Sequence, residues 1–372
     1  MTILSGPSAH PLFSRCPALR EGLSHVPLGT FPTPVERLDA LGRELGVGEL
    51  WVKRDDRSGI AYGGNKVRKL EFLLADALRR GAREVVTFGG VGSNHALASA
   101  IYGKRLGFAV TLFLTPQPVS HHVRRTLLAG LASGADIRPA SSHADAERQA
   151  AAFVAEREAA EGVSPYVIPL GGSTPTTAAA LMDAGLELNM QVFQGELPMP
   201  DVLYVAMGSM GTVAGITLGL AITGAPTRVR GVLVTPPEIA SAAALDEMLT
   251  AAADAVCGLD SHCDCTVGLE PREEVVEDFF GAGYGVYSPE GVEAARLAAT
   301  AGLALDGTYT AKAFAALVAD ARSGALADKR VVFWNTFSSV DLSPLTDAAD
   351  YRELPEALHQ YFEQDVQPLD RA

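Results

Sequence analysis

The chain has 372 residues, about two and a half domains' worth at ~150 residues each, which is enough to bury a core without disulfides or a structural metal. Its 48% hydrophobic and 20% charged residues exclude wholesale disorder, and a formal charge of −14 with no basic cluster excludes a nucleic-acid-binding face. No apolar run approaches the ~18 residues of a membrane span, and no basic stretch followed by an apolar one marks a secretory signal, so a cytoplasmic protein without membrane partners is expected.

Short β-rich runs alternate with Ala-rich helical runs along the chain. Residues 84–88 read as a strand ending at Gly89-Gly90, followed by a helix over 93–106. A second strand over 109–114 leads to a helix over 121–132, and 135–138 leads to a helix over 145–160. Residues 166–168 run into Gly171-Gly172, 202–205 meet Gly208 and Gly211, and 229–234 and 330–334 complete the set. Continuous apolar strands separated by helices imply right-handed crossovers and parallel sheets. The fold class is therefore α/β. Seven such runs with helices between them are divided more economically between two sheets than held in one doubly wound sheet, so two twisted parallel sheets facing a cleft are expected.

The four cysteines, Cys16, Cys257, Cys263 and Cys265, do not make a disulfide framework in a chain of this length. Ser261-His262-Cys263-Asp264-Cys265 has a C-x-C spacing tighter than that of zinc sites and lacks a second pair, so it reads as a loop and no metal is expected.

Three segments carry chemistry. In Gly63-Gly64-Asn65-Lys66-Val67-Arg68-Lys69, a helix beginning near Asn65 places Lys66 and Lys69 on one side. Such a pair attracts an anion, and one amine with a lowered pKa suits Schiff-base chemistry. In Gly89-Gly90-Val91-Gly92-Ser93-Asn94-His95 a strand ends, Ser93 caps a helix, and free amides can hold a carboxylate or phosphate. Gly208-Ser209-Met210-Gly211-Thr212 reads as an anion nest matching neither the nucleoside-triphosphate nor the dinucleotide fingerprint, so a lone cofactor phosphate fits it better than either, with a plain strand-to-helix turn as the alternative. Gly283-Tyr284-Gly285, Asp306 to Lys312 and Asn335 to Ser339 are Gly-flanked or hydroxyl-rich loops whose tyrosines can move protons.

In chain order from about Pro32 to Ser339, these segments, with Thr33-Pro34, Trp51 to Asp56 and Ile168 to Ser173, resemble the fold-type-II pyridoxal-phosphate enzymes. The Gly-Gly-Asn-Lys-x-Arg-Lys-Leu-Glu string is specific to the group containing D-cysteine desulfhydrase and 1-aminocyclopropane-1-carboxylate deaminase. The resemblance implies pyridoxal 5'-phosphate in an interdomain cleft. Residues 1–67 and 176–372 would form the larger, cofactor-binding domain and 68–175 a smaller α/β domain. It also implies a homodimer acting on a small amino acid. Lys66 would carry the cofactor and move the Cα proton, and Asn94 would bond the phenolic oxygen. Gly208, Ser209, Met210, Gly211 and Thr212 would hold the phosphate, with Lys69 adding charge. Ser93, Asn94 and His95 would take the substrate carboxylate, and Tyr284 and Tyr309 would assist proton transfer.

In the cyclopropane deaminases a glutamate faces the pyridine nitrogen at the position of Thr310, and Thr336 lies in the other motif expected near that nitrogen. A hydroxyl supports a neutral ring and a weaker electron sink. That suffices when a good leaving group departs from Cβ, so β-elimination from a D-cysteine-like substrate is expected, ahead of ring opening, β-replacement or racemisation. Ala96-Leu97-Ala98, Thr174, Ala311 and Phe337 depart from the family pattern around the substrate, while the lysine and phosphate motifs are intact.

Overall fold

The computed structural model describes residues 10–261, 263 and 273–371. Ten strands form two sheets: β1 (Val35–Arg37), β2 (Glu49–Lys53), β3 (Glu84–Gly90), β4 (Ala109–Thr115), β5 (Asp136–Pro139), β6 (Tyr166–Ile168), β7 (Val202–Met207), β8 (Arg228–Leu233), β9 (Glu273–Val276) and β10 (Arg330–Trp334). The larger sheet has the order β1-β2-β10-β7-β8-β9 and the smaller β5-β4-β3-β6. Every pairing is parallel except β1 with β2. The chain thus starts in the larger sheet, builds the smaller one, and returns, with β10 inserted between β2 and β7.

β3 and β7 are buried along their whole length, which explains the unbroken apolar run of β7 and the largely apolar run of β3, interrupted by Glu84 and Thr87. The expected helices are present over Asn94–Arg105, His121–Ala132 and His143–Glu161, capped by Ser93, Ser120 and Ser142. Three strands had no clear signal. β1 has three residues and pairs antiparallel at an edge; β9, Glu-Glu-Val-Val, is another edge; β2 lies inside a motif whose charged residues mask it.

The charged string Lys53 to Asp56 is buried beneath the cleft. Lys53 Nζ donates to Glu187 Oε1 (2.5 Å), Gln191 Oε1 (2.5 Å) and the Thr33 carbonyl (2.6 Å). Arg68 spans Asp55 and Glu187 with bonds of 2.8–3.0 Å. Two cations face two carboxylates here, so every charge in this dry region has a partner. The network ties β2, the lysine helix and the Met182–Phe193 helix together.

One expectation needs correction. Cys16 and Cys263 form a disulfide across 247 residues, a pairing that spacing along the chain cannot reveal. Cys257 is free; His262 and Cys265 lie outside the described residues. No helix among the described residues is long and apolar enough to cross a membrane.

Candidate active site

In each sheet the order of strands reverses at one place: between β3 and β6 in the smaller, between β7 and β10 in the larger. Loops leaving such strands diverge and open a crevice. The two crevices meet in one cleft of about 1110 Å³, part of it open to solvent, lined by Gly89 and Gly171 from one sheet and by Gly208 and Thr336 from the other. Lys66, Ser93, Asn94, His95, Ser209, Met210, Thr212, Tyr284 and Tyr309, all expected site residues, line it as well.

Lys66 is the first residue of the Lys66–Arg79 helix. The turn before it needs Gly64, whose φ is +89° and whose Cβ, if present, would lie 2.6 Å from the Thr336 carbonyl oxygen. Asn65 Nδ2 donates to Thr212 Oγ1 at 2.8 Å, fixing the lysine turn to the anion nest. Burial lowers the Lys66 amine to about 8, against the pull of the Asp306 carboxylate, which raises it. An amine in that range is a competent nucleophile and base near neutral pH.

Across the cleft the Gly211–Ala221 helix begins after Met210, which adopts φ +60°, a left-handed conformation that turns successive N–H groups to one side. Lys69 stands behind this nest. Its Nζ donates to Ser173 Oγ (2.6 Å) and the Gly171 carbonyl (2.9 Å), and Ser173 Oγ in turn meets Ser209 Oγ at 2.8 Å. Both acceptors are neutral oxygens, and burial, with the charge of Lys66 adding to it, holds the amine well below its ordinary range. A phosphate dianion in the nest would favour the charged form of this amine, so the residues present fit pyridoxal phosphate. Lys69→Met is expected to weaken cofactor affinity about 10- to 100-fold. Equilibrium dialysis checks this, and an unchanged affinity rules the role out.

Asn94 opens the Asn94–Arg105 helix. Its Oδ1 accepts from the Tyr62 hydroxyl at 2.9 Å, so the amide N–H is what it can offer the cleft. Ser93 Oγ caps the helix by accepting from Ala96 N at 3.2 Å and keeps its own proton to donate. His95 differs from expectation. Thr87 Oγ1 gives its proton to the Ile168 carbonyl at 3.0 Å, so it accepts from His95 Nε2 at 3.0 Å, and His95 Nδ1 has no partner. Burial, with Lys66 and Lys69 adding to it, holds the ring well below its usual pKa, hence neutral. A neutral His95 presents a lone pair to a donor, while Ser93 Oγ and the helix-start amides are groups that can donate to an anion.

Tyr284 and Tyr309 share a hydrogen bond between their hydroxyls. Burial raises Tyr284 to about 12 and lifts Tyr309 well above its ordinary range, so both stay protonated. Thr310 does not line the cleft: its hydroxyl donates to Asp306 Oδ1 (2.7 Å) and accepts from Asp306 N (2.8 Å). The start of its own helix therefore takes the proton of its hydroxyl, which differs from a hydroxyl held free toward a cofactor ring. Thr336 is the motif hydroxyl left in the lining, where Phe337 lies beside it and packs edge-on against His122, centroids 5.6 Å apart.

Asp306 was missed. It is 4% exposed, lines the cleft, and accepts from Thr310 N (3.0 Å) and Tyr309 N (3.2 Å). The Asp-x-x-Tyr-Thr spacing, an acid three and four residues before those donors, is a capping signal that could have located it.

Fold and cleft together define the class: an α/β enzyme of fold type II that works through pyridoxal phosphate. The family of pyridoxal-phosphate dependent enzymes matches residues 26–336, and the chain belongs to it. A nocardicin C-9' epimerase of Nocardia uniformis subsp. tsuyamanensis is 38% identical over 322 residues, 85% of this chain and 93% of that protein. A D-cysteine desulfhydrase of Salmonella paratyphi B is 36% identical over 301 residues, 77% of this chain and 85% of the relative. The crystal structure of a protein described as an ACC deaminase homologue superposes with a TM-score of 0.75 at 31% identity, over 92% of this chain and 97% of that one.

Proposed function

We propose that the protein catalyses β-elimination on a small β-substituted amino acid of the D-cysteine kind, releasing pyruvate, ammonia and the leaving group, sulfide. The observation that carries the reading is that, among the described residues, the one carboxylate lining the cleft, Asp306, is already bonded to the start of its own helix. Asp306 is engaged by three donors of its own helix start, and Thr336 offers a hydroxyl. The D-cysteine desulfhydrase relative supports the same substrate class. Two domains, residues 68–175 and the remainder, and a cytoplasmic homodimer are part of this proposal; the smaller sheet, built from strands between Glu84 and Ile168, supports the division.

Pyridoxal phosphate, when bound through Lys66, supplies the electron sink for charge developing at Cα. Ser93 Oγ and the amides after it orient the substrate carboxylate, and Asn94 orients the ring by its amide N–H. The Cα–H bond breaks with its proton passing to Lys66 Nζ. The Cβ–S bond breaks with the electron pair leaving on sulfur, and the Tyr284–Tyr309 hydroxyl pair supplies a proton there. Water then converts the remaining three-carbon fragment to pyruvate and ammonia.

Purified holoenzyme is expected to release keto acid from D-cysteine and from β-chloro-D-alanine. A second reading, inversion at Cα, is favoured by the epimerase relative, with Lys66 on one face and a hydroxyl returning the proton to the other. Product analysis separates the two. An inverted amino acid with solvent deuterium at Cα, and no keto acid, overturns elimination.

A further inference from the structure

The N-terminal segment and the lysine helix meet at a cluster that the cleft does not use. His10, His25 and Glu71 each bring one possible ligand atom to the cluster, and these three atoms lie within 4.8 Å of one another. His25 Nε2 lies 3.3 Å from Glu71 Oε2, and His10 Nε2 lies 3.6 Å from the same oxygen. The two imidazole centroids are 4.3 Å apart. We propose that these three side chains form a divalent transition-metal site of the zinc kind, which fastens the N-terminal segment to the helix that carries Lys66.

Three physical features support a metal over a simple polar contact. First, tetrahedral coordination with bonds of about 2.0–2.1 Å places neighbouring donors roughly 3.3–3.4 Å apart, and Glu71 Oε2 lies 3.3 Å from His25 Nε2 and 3.6 Å from His10 Nε2. Second, Glu71 is 1% exposed, and neither its Oε2 nor His25 Nε2 makes a hydrogen bond. A buried carboxylate oxygen that makes no hydrogen bond is costly, and a cation between it and the two imidazoles removes that cost. Third, the outer contacts are those that orient ligands. Glu71 Oε1 accepts from Leu28 N (2.8 Å) and Gly29 N (3.0 Å), leaving Oε2 as the coordinating atom. His10 Nδ1 donates to Asp183 Oδ2 at 2.7 Å, which sets the tautomer whose Nε2 carries the lone pair. Asp183 is itself anchored by Leu12 N at 3.0 Å. This carboxylate–imidazole–metal relay recurs in zinc proteins.

The donor set also selects the ion. Two imidazoles and one carboxylate disfavour calcium and magnesium, which take oxygen shells, and the absence of thiolate or thioether disfavours copper(I). Rings of Phe13, Phe31 and Phe72, 6.0–6.1 Å from His10, surround the site with apolar matter that excludes water and strengthens the coordination. The ion would join three points far apart in sequence, residues 10, 25 and 71, the last on the Lys66–Arg79 helix. Its role is structural.

The test uses the pyridoxal-phosphate-loaded full chain, stripped with a chelator and titrated with Zn²⁺ or Co²⁺. One equivalent of Zn²⁺ is expected to bind and raise the thermal midpoint, and Co²⁺ is expected to give visible bands of nitrogen–oxygen tetrahedral coordination. His25→Ala should lower Co²⁺ affinity at least about 100-fold, and Asp183→Asn, which keeps every ligand, about 10- to 100-fold, with cofactor absorbance retained in both. If His25→Ala fails to fold, Asp183→Asn alone decides. Overturning results are no retained Zn²⁺, a Co²⁺ spectrum with thiolate character, or affinity unaltered in the variants. In those cases the cluster is a buried ion pair only.

Discussion

Lys66→Ala is expected to lower turnover by about 10³-fold or more, since it removes the group that carries the cofactor and the base that moves the Cα proton. Borohydride reduction of the native holoenzyme should leave a cofactor mass on the peptide containing Lys66, and the variant should yield none. Lys66→Arg should fail as well, because a guanidinium keeps its proton. Finding the cofactor mass on Lys69 or Lys312 instead would reassign the site. Lys66 also predicts a pH dependence. Its neutral amine is the reactive form, so cofactor loading into apo-protein should accelerate as pH rises through about 8 and then level off. Asp306 raises that value, so Asp306→Asn should move the midpoint to lower pH; a shift to higher pH contradicts the assignment.

The second large effect is on stability. Glu187→Ala leaves Lys53 unpaired and Arg68 with only Asp55, both cations in the dry interior, and is expected to cost about 3–5 kcal/mol. The thermal midpoint of the holoenzyme should fall by at least about 5 °C; a change within about 1 °C would show that water reaches the network. Arg68 and Lys53 hold the Glu187 carboxyl at about 2, overcoming the opposing effect of burial. Its contribution is therefore complete above its ordinary 4.5 and is lost as pH falls towards 2. Burial lowers the Lys53 amine at the same time, so the intact pair is worth less than the carboxylate shift alone suggests. Glu187→Gln should flatten the acid limb of the stability curve, measured by melting between about pH 2 and 5.

Local chemistry made much of the site legible. Lys66 after two glycines, Ser93 as a cap and the nest at Gly208–Thr212 depend on turns and helix starts of fewer than ten residues, and such features are written in consecutive side chains. Asp306 and Thr310 show the limit. Both sit in the same string, yet which one faces the cleft depends on which hydroxyl the helix start consumes. His95 has the same lesson, because its role turns on where Thr87 sends its proton.

The sequence by itself determined the alternation of strands and helices and the parallel sheets, because hydrophobic period and turn chemistry act over short spans, while the cofactor class came from the resemblance of its motif strings to a known family. Only the tertiary structure decided which distant groups meet: β10 between β2 and β7, Cys16 with Cys263, Lys53 with Glu187, and His10 and His25 with Glu71. The physical reason is that these contacts join segments up to 247 residues apart, whose encounter is set by the packing of whole sheets and helices.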